Sequence, residues 1–133
     1  MEETIRREYR LILDRWESAG LSYRFLEYIK RWTRPDRARK AFVKTYICAV
    51  LTYSRLGLPI NINSVAWLLG KQLYNGQHRK KRIGSVYAEL EHLCALNVLE
   101  SIELPNGVKV RRGMRNYHVT PRFLEFVYAK VTP

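Results

Sequence analysis

With 133 residues, 47% of them hydrophobic, and with nine tyrosines and three tryptophans, the chain is long enough for one globular domain with a core and too short for two. Twenty-four Lys and Arg against twelve Asp and Glu give a net charge of +12, which favours a polyanionic partner such as nucleic acid. Two cysteines, a charged N-terminus and the lack of any apolar run near about 18 residues exclude a disulfide framework, a signal peptide and a membrane span, so we expect a reducing cytoplasm.

Two amphipathic helices are predicted in the N-terminal part of the chain. In residues 2–17 apolar side chains recur at steps of three and four, as on one face of a helix: Ile5, Tyr9, Ile12 and Trp16. Gly20 should end this helix, and Ser22 is then a candidate N-cap for a shorter one that carries Phe25, Leu26, Ile29 and Trp32. The apolar faces of both helices must be buried against the rest of the chain or against a second copy.

A helix boundary is predicted at Pro35, because proline disfavours helix in the residue before it and suits the first turn after it. We therefore divide the chain into an N-terminal helical extension, residues 1–35, and a main domain, residues 36–133. The main domain opens with a long helix over about 36–56. That helix should end at Gly57, since glycine tolerates the positive φ of a helix C-terminus.

Two further helices are predicted in the middle of the chain. The stretch 59–62 is short, apolar and extended, and Asn63 is a candidate N-cap for a brief helix over 64–69 that Gly70 would stop. A polar turn follows, and the next helix, about 78–96, begins somewhere between residues 78 and 83. Its core stripe fits one helical face closely: Ile83, Val86, Tyr87, Leu90, Leu93 and Cys94.

The last third of the chain has the apolar spacing of strands. Residues 98–104 are strand-like, a Pro-Asn-Gly turn signal follows at 105–107, and residues 108–111 alternate as a second strand. A further bend precedes a strand over 116–120. Pro121 should then open a closing helix that carries Phe123, Leu124, Val127 and Tyr128.

From residue 37 onward, the order of these pieces resembles a winged helix-turn-helix domain. The pieces are a long helix, the stub "PINI", the short capped helix "NSVAWLLG", the long helix "RKKRIGSVYAELEHLCALNVL", a basic hairpin and the segment "YHVTPRFLEF". The resemblance implies a mainly α fold with a small β-hairpin wing, that is, a winged helix-turn-helix with an N-terminal helical extension. It also implies a recognition helix at about 78–96 in the major groove and a basic wing at about 105–117 on the DNA backbone or in the minor groove. The link over 71–77 is longer than the tight turn usual in this motif.

Two windows of the sequence carry bases and no acids. The first, between Asp36 and Glu89, supplies the predicted recognition helix, whose candidate DNA contacts are His78, Arg79, Lys80, Lys81, Arg82 and Ser85. Bases near the N-terminal end of such a helix can pair with guanine or with phosphate. The simpler alternative is a solvated basic turn in front of an ordinary core helix.

The second window lies between Glu103 and Glu125 and supplies the predicted wing. Its candidate DNA contacts, at or near hairpin tips, are Lys109, Arg111, Arg112 and Arg115. There they would follow phosphates or enter a narrow minor groove. The alternative is that bases on an exposed hairpin only keep a sheet edge soluble.

No catalytic or metal-binding pattern stands out, so the sequence predicts a protein that is not an enzyme and has no metal or cofactor. His92 and Cys94 lie about 200° apart around a helix and cannot share a metal. The basic half lacks the acidic cluster of a two-metal nuclease, and Tyr117 is only a weak candidate nucleophile. Most aromatic residues fall on predicted core stripes, which favours packing over stacking on single-stranded nucleic acid.

The leading hypothesis is a sequence-specific double-stranded DNA-binding protein, a transcriptional regulator of a prokaryote, plasmid or virus. The predicted partners are duplex DNA and a second copy of the chain through residues 2–33, because dimers of this type read successive major grooves about 34 Å apart. No membrane partner is expected. The alternatives are a replication-initiation or partition protein, a winged helix used for protein–protein contact, and an RNA-binding protein.

Overall fold

The computed structural model describes residues 1–29, 40–70, 76–102 and 115–129, with the backbone alone for 40–42 and 76–85. These ranges form a mainly helical fold with a small antiparallel sheet, as the sequence predicts. In chain order the elements are α1 (Glu2–Ser18), α2 (Leu21–Ile29), α3 (Lys40–Leu56), α4 (Ile62–Leu68), α5 (Gly76–Ala95), β1 (Leu99–Ser101), β2 (Tyr117–Val119) and α6 (Pro121–Tyr128). The strand predicted for 108–111 and the side chain of Trp32 lie outside the described residues.

The turn between α1 and α2 differs in detail from the prediction. Gly20 takes the positive φ of +62° that lets the chain leave α1, but α2 begins at Leu21, so Ser22 lies inside its first turn and is not its N-cap. The Ser22 hydroxyl oxygen instead accepts a hydrogen bond from the indole nitrogen of Trp16 at 2.6 Å. This bond satisfies the one polar side-chain atom of a tryptophan that is otherwise buried.

The central helix α3 is buried on nearly every side from residue 46 to residue 53. It ends as predicted at Gly57, which has φ +69°. The Gly57 amide donates to the carbonyl of Ser54 at 3.2 Å, and the Leu58 amide donates to the carbonyl of Tyr53 at 2.9 Å. These two bonds satisfy carbonyls that the helix end would otherwise leave unpaired, as in a Schellman motif.

The cap of α4 corrects the sequence prediction of Asn63. The N-cap is Asn61, whose side-chain oxygen accepts from the Ser64 amide at 2.8 Å, while the Ser64 hydroxyl oxygen accepts from the Asn61 amide at 3.0 Å. This reciprocal capping box satisfies two backbone donors at once, which a cap at Asn63 with no polar partner three residues later could not do. Gly70, with φ +70°, follows the helix as predicted.

The sheet joins the end of α5 to the start of α6. Strands β1 and β2 pair antiparallel with Leu99 opposite Val119 and Ser101 opposite Tyr117. The stub predicted as extended adds a third piece, because the Tyr117 amide donates to the carbonyl of Ile60 at 2.9 Å. The segment that precedes α4 is thereby fixed to β2, between α3 and the hairpin.

The N-terminal helices share one hydrophobic core with the rest of the chain. Ile5, Ile12 and Trp16 are buried, and α1 packs along α3. The Phe25 ring of α2 meets the Phe123 ring of α6 edge-on, with centroids 5.9 Å apart. The apolar faces that the sequence leaves open to a second copy are therefore buried within the same chain, and residues 1–29 pack as part of the domain rather than beside it.

Candidate nucleic-acid interface

Helix α5 carries most of the residues that the sequence singles out. It begins at Gly76, earlier than the predicted range of 78–83, and the four consecutive bases 79–82 lie in its first two turns. Its C-terminal half is anchored by Val86, Leu90 and Leu93, which are fully buried against α3, α4 and β1. The anchored half fixes the direction in which the basic half extends.

The charge at the start of α5 runs against the helix's own electrostatics. A helix N-terminus carries roughly half a positive charge from its unpaired amides, so acids stabilise it and bases destabilise it. The first turn of α5 contains no acid, and Arg79, Lys80, Lys81 and Arg82 follow within it or directly after it. An anion at this end would relieve the repulsion, and a phosphate is the usual one.

The face of α5 that points away from the core is lined by small residues where its side chains are described. Ala88 and Ala95 are exposed, whereas His92 is half-buried. Lys81 lies seven residues before Ala88, which places it on the same helical face two turns earlier. Small side chains on an exposed helical face allow the helix backbone to approach a partner surface closely.

The hairpin meets α5 through a polar cluster at its base, formed by Glu91, Arg115 and Tyr117. One Arg115 guanidinium nitrogen, Nη1, donates to Glu91 Oε1 at 2.6 Å, and the Tyr117 hydroxyl donates to the same oxygen at 3.1 Å. The Arg115 and Glu91 side chains are 35% and 34% exposed, so this ion pair is partly shielded from water. Arg115 lies two residues before β2 and has a partner within the protein.

The environment of Tyr117 does not activate its hydroxyl as a nucleophile. Its side chain is 2% exposed, and burial first, then the neighbouring Glu91 carboxylate, raises the pKa of its hydroxyl well above the ordinary value. A nucleophilic phenol needs a lowered pKa or an adjacent base with room for a substrate. Here the hydroxyl acts as a buried donor that links β2 to α5.

The other predicted wing residues, Lys109, Arg111 and Arg112, lie outside the described residues. On the described strands, the His118 ring nitrogen Nε2 lies 2.8 Å from a Glu100 carboxylate oxygen across the sheet. Both side chains are about half exposed. This pair is exposed to solvent on the hairpin surface.

Several cations outside these two regions have partners within the chain. Arg55 contacts Glu8 at 2.7 Å, and Lys44 pairs with Glu17, so α3 and α1 are joined by two ion pairs. Other guanidinium groups lie over aromatic rings, with centroid distances of 4.8 Å for Arg6 on Trp67, 5.1 Å for Arg15 on Tyr128 and 5.5 Å for Arg24 on Phe126. None of these pairings was visible in the sequence, because the partners are far apart along the chain.

Two open grooves are lined by described residues. One, of about 540 Å³, runs between α2 and α6 and is lined by Tyr23, Arg24, Glu27, Tyr28, Arg122, Glu125 and Phe126. The other, of about 520 Å³, lies beside the hairpin and Ile60. Within the described ranges no three His, Cys, Asp or Glu side chains come together as a metal site would require, and no helix there is long and apolar enough to cross a membrane.

Comparison with protein-family models, with curated proteins and with solved structures returns no match for this chain.

Proposed function

We propose that the protein binds double-stranded DNA as a winged helix-turn-helix protein and acts as a transcriptional regulator. The basic half of α5 would enter the major groove, where Arg and Lys near the start of the helix meet guanine edges and phosphates. The hairpin would hold the DNA backbone beside it. The observation that carries the proposal is the run of four bases at the acid-free N-terminal end of α5.

The order and pairing of the elements support this proposal. Helices α3, α4 and α5 follow one another and pack together, and β1 and β2 follow directly. The stub at Ile60 pairs with β2, and β2 pairs with β1, so the stub, β2 and β1 lie side by side. This order is compatible with a winged helix-turn-helix, in which the hairpin would follow the C-terminal end of α5.

The homodimer expected from the sequence remains a prediction, and the structure limits the surfaces of α1 and α2 that it could use. Within the described residues 2–29, the inward faces of α1 and α2 are occupied by their own chain, so a dimer through these residues would have to use outward ones such as Leu11 or Tyr23, which are 56% and 75% exposed. Light scattering at the concentration used for binding tests this point. A mass of one chain, 15.8 kDa, would remove the dimer from the proposal.

The test of the proposed function is fluorescence anisotropy with a random-sequence duplex, a matching single strand and an RNA hairpin, each across a salt series. We expect the duplex to bind best, with an affinity that falls steeply as salt rises, because each neutralised phosphate contributes a slope of about 0.9. Stronger binding to the RNA hairpin than to the duplex would indicate an RNA-binding protein.

Flat, weak binding to all three nucleic acids would contradict the proposal and favour a winged helix that contacts another protein. If the duplex binds, a footprint on genomic fragments separates the remaining roles. A single dimer-sized site favours a regulator, whereas several adjacent copies favour a replication-initiation or partition protein.

A further inference from the structure

We infer that Glu91 is a positioning residue that fixes the hairpin to α5 through Arg115 and Tyr117, so that both elements meet DNA as one rigid surface. The inference rests on the proposed function and deepens it. It also reassigns Arg115, which the sequence places among the DNA contacts, to a role inside the protein.

The geometry around Glu91 joins the described elements that surround the proposed interface. Glu91 lies on α5, one residue after the buried anchor Leu90. Its Oε1 accepts from Arg115 at 2.6 Å, just before β2, and from the Tyr117 hydroxyl at 3.1 Å, on β2 itself. The Tyr117 amide in turn donates to the carbonyl of Ile60, so the same residue also holds the stub in front of α4.

The hydrogen bonds of this cluster are strong enough to hold the hairpin against α5. A carboxylate that accepts both a guanidinium and a hydroxyl group forms charge-assisted hydrogen bonds, which are roughly twice as strong as neutral ones. Both charged side chains are about two-thirds buried, so solvent screens them less than it screens a surface pair. The exposed Glu100–His118 pair, on the same hairpin, lacks this shielding.

The effect of removing the Glu91 charge on DNA binding distinguishes a positioning residue from an ordinary surface acid. Removing any carboxylate from a DNA-binding protein makes the protein more positive, and that change alone strengthens binding to a polyanion. If Glu91 positions the hairpin, its removal should weaken binding in spite of the added charge. If Glu91 instead holds Arg115 away from the phosphates, its removal should strengthen binding.

The experiment compares Glu91→Gln with Glu100→Gln in duplex binding across a salt series. Both substitutions raise the net charge by one, so they are matched in long-range electrostatics. We expect Glu91→Gln to bind about three- to tenfold more weakly, as the removal of a charge-assisted but partly exposed ion pair implies, with an unchanged salt slope. Glu100→Gln should bind as tightly as the unchanged protein or slightly more tightly. Tighter binding by Glu91→Gln would overturn the inference.

Arg115→Gln and Arg112→Gln separate positioning from phosphate contact. Arg115→Gln should reproduce the weaker binding of Glu91→Gln with the same salt slope, and the double variant Glu91→Gln/Arg115→Gln should bind no more weakly than either single variant. Arg112→Gln, at a predicted wing contact, should lower the slope by about 0.9. A slope lowered equally by Arg115→Gln would show that Arg115 touches phosphate and would overturn the inference.

Amide hydrogen exchange provides a readout that does not depend on DNA. In Glu91→Gln the amides of Ile102 and Tyr117, which bond to the carbonyls of Asn116 and Ile60, should exchange several-fold faster, while amides of α1 stay unchanged. Unchanged exchange at both positions would overturn the inference even if binding fell. Faster exchange, with no duplex binding by the unchanged protein, would contradict the proposed function but keep Glu91 as the residue that positions the hairpin.

Discussion

Helices α1 and α5 treat charge in opposite ways. In α1, Glu2 and Glu3 occupy the first turn and Arg15 the last, so its charges agree with the helix dipole and stabilise the helix. In α5 the first turn has no acid, and the bases 79–82 crowd the positive end. A helix whose charges oppose its own stability marks a place where a requirement other than folding acts on the sequence. This difference supports the proposal that an anionic partner binds at the start of α5.

Several cations among the described residues have partners within the fold. Arg55 and Lys44 pair with acids of α1, and three arginines, Arg6, Arg15 and Arg24, lie over aromatic rings. These cations add to the net charge of +12 but stabilise the fold. The net charge therefore overstates the area of a nucleic-acid surface. The acid-free windows overstate it too, because Lys44 and Arg55 lie in the first of them and Arg115 in the second.

The largest expected effect concerns the folding role of the N-terminal region. Trp16→Ala removes a buried ring that contacts Phe25 edge-on and a satisfied indole N–H. It should lower the free energy of unfolding by about 3–5 kcal/mol. Urea denaturation measures the decrease. Leu11→Ala, on the exposed face of the same helix, should change stability by less than about 0.5 kcal/mol. A small effect of Trp16→Ala would mean that α1 is not part of the core.

The next largest effect concerns DNA binding by the bases at the start of α5. Replacing Lys80, Lys81 and Arg82 with Ala should weaken duplex binding about 100-fold, with a salt slope lower by about 0.9 for each phosphate that the variant no longer neutralises. The control pair is matched in charge and in the introduced side chain: Arg7 and Arg10, exposed on α1, become Ala in one variant, and Lys80 and Lys81 become Ala in the other. The salt slope of the α1 variant should stay near that of the unchanged protein. Equal slopes for the two double variants would show that binding follows net charge alone.

Alkaline pH tests how completely the core is closed around α3. Burial raises the pKa of the Cys48 thiol to about 12, whereas the unfolded thiol ionises near its ordinary value. Above about pH 9 the unfolded chain loses this proton while the folded chain keeps it, so stability falls as pH rises, by about 2 kcal/mol at pH 10.5. The urea midpoint at pH 7.5 and 10.5 measures the change. Cys48→Ala should show a smaller fall. Other groups whose pKa values burial raises, among them Tyr9 and Tyr53 at about 12, contribute to the fall that remains.

The smallest effect tests the helix that precedes α5. Asn61→Ala removes the side chain that caps α4 and should cost about 1 kcal/mol. Asn63→Ala, two residues later and exposed, should cost almost nothing. Thermal unfolding of the two variants decides between them. A larger decrease for Asn63→Ala would restore the cap predicted from the sequence.

Local signals in the sequence predicted much of the fold, because they act over a few residues. Gly57 and Gly70 end helices at positive φ, and Pro121 opens α6 after Thr120, whose hydroxyl oxygen accepts from the Phe123 amide. The cap of α4 was misplaced because Asn61 and Asn63 both suit a cap, and only the reciprocal bond to Ser64 distinguishes them.

The sequence could not predict interactions that depend on distant parts of the chain. Glu91 and Arg115 are 24 residues apart, and nothing in either neighbourhood signals the other. For the same reason, the burial of α1 and α2 against their own chain could not be separated from a dimer interface. The run of bases at 79–82 was visible in the sequence. The sequence did not predict that α5 begins at Gly76, which places these bases in its first two turns.

The most direct test of the central claim is an NMR titration of the ¹⁵N-labelled protein with a short duplex. The account predicts that the largest amide shifts fall in residues 76–88 and at the hairpin, including Ile102 and Asn116. The amides of α1 should shift little. Shifts that concentrate in α1 or in the groove between α2 and α6, with α5 unchanged, would contradict the claim that the basic start of α5 is the DNA-binding element.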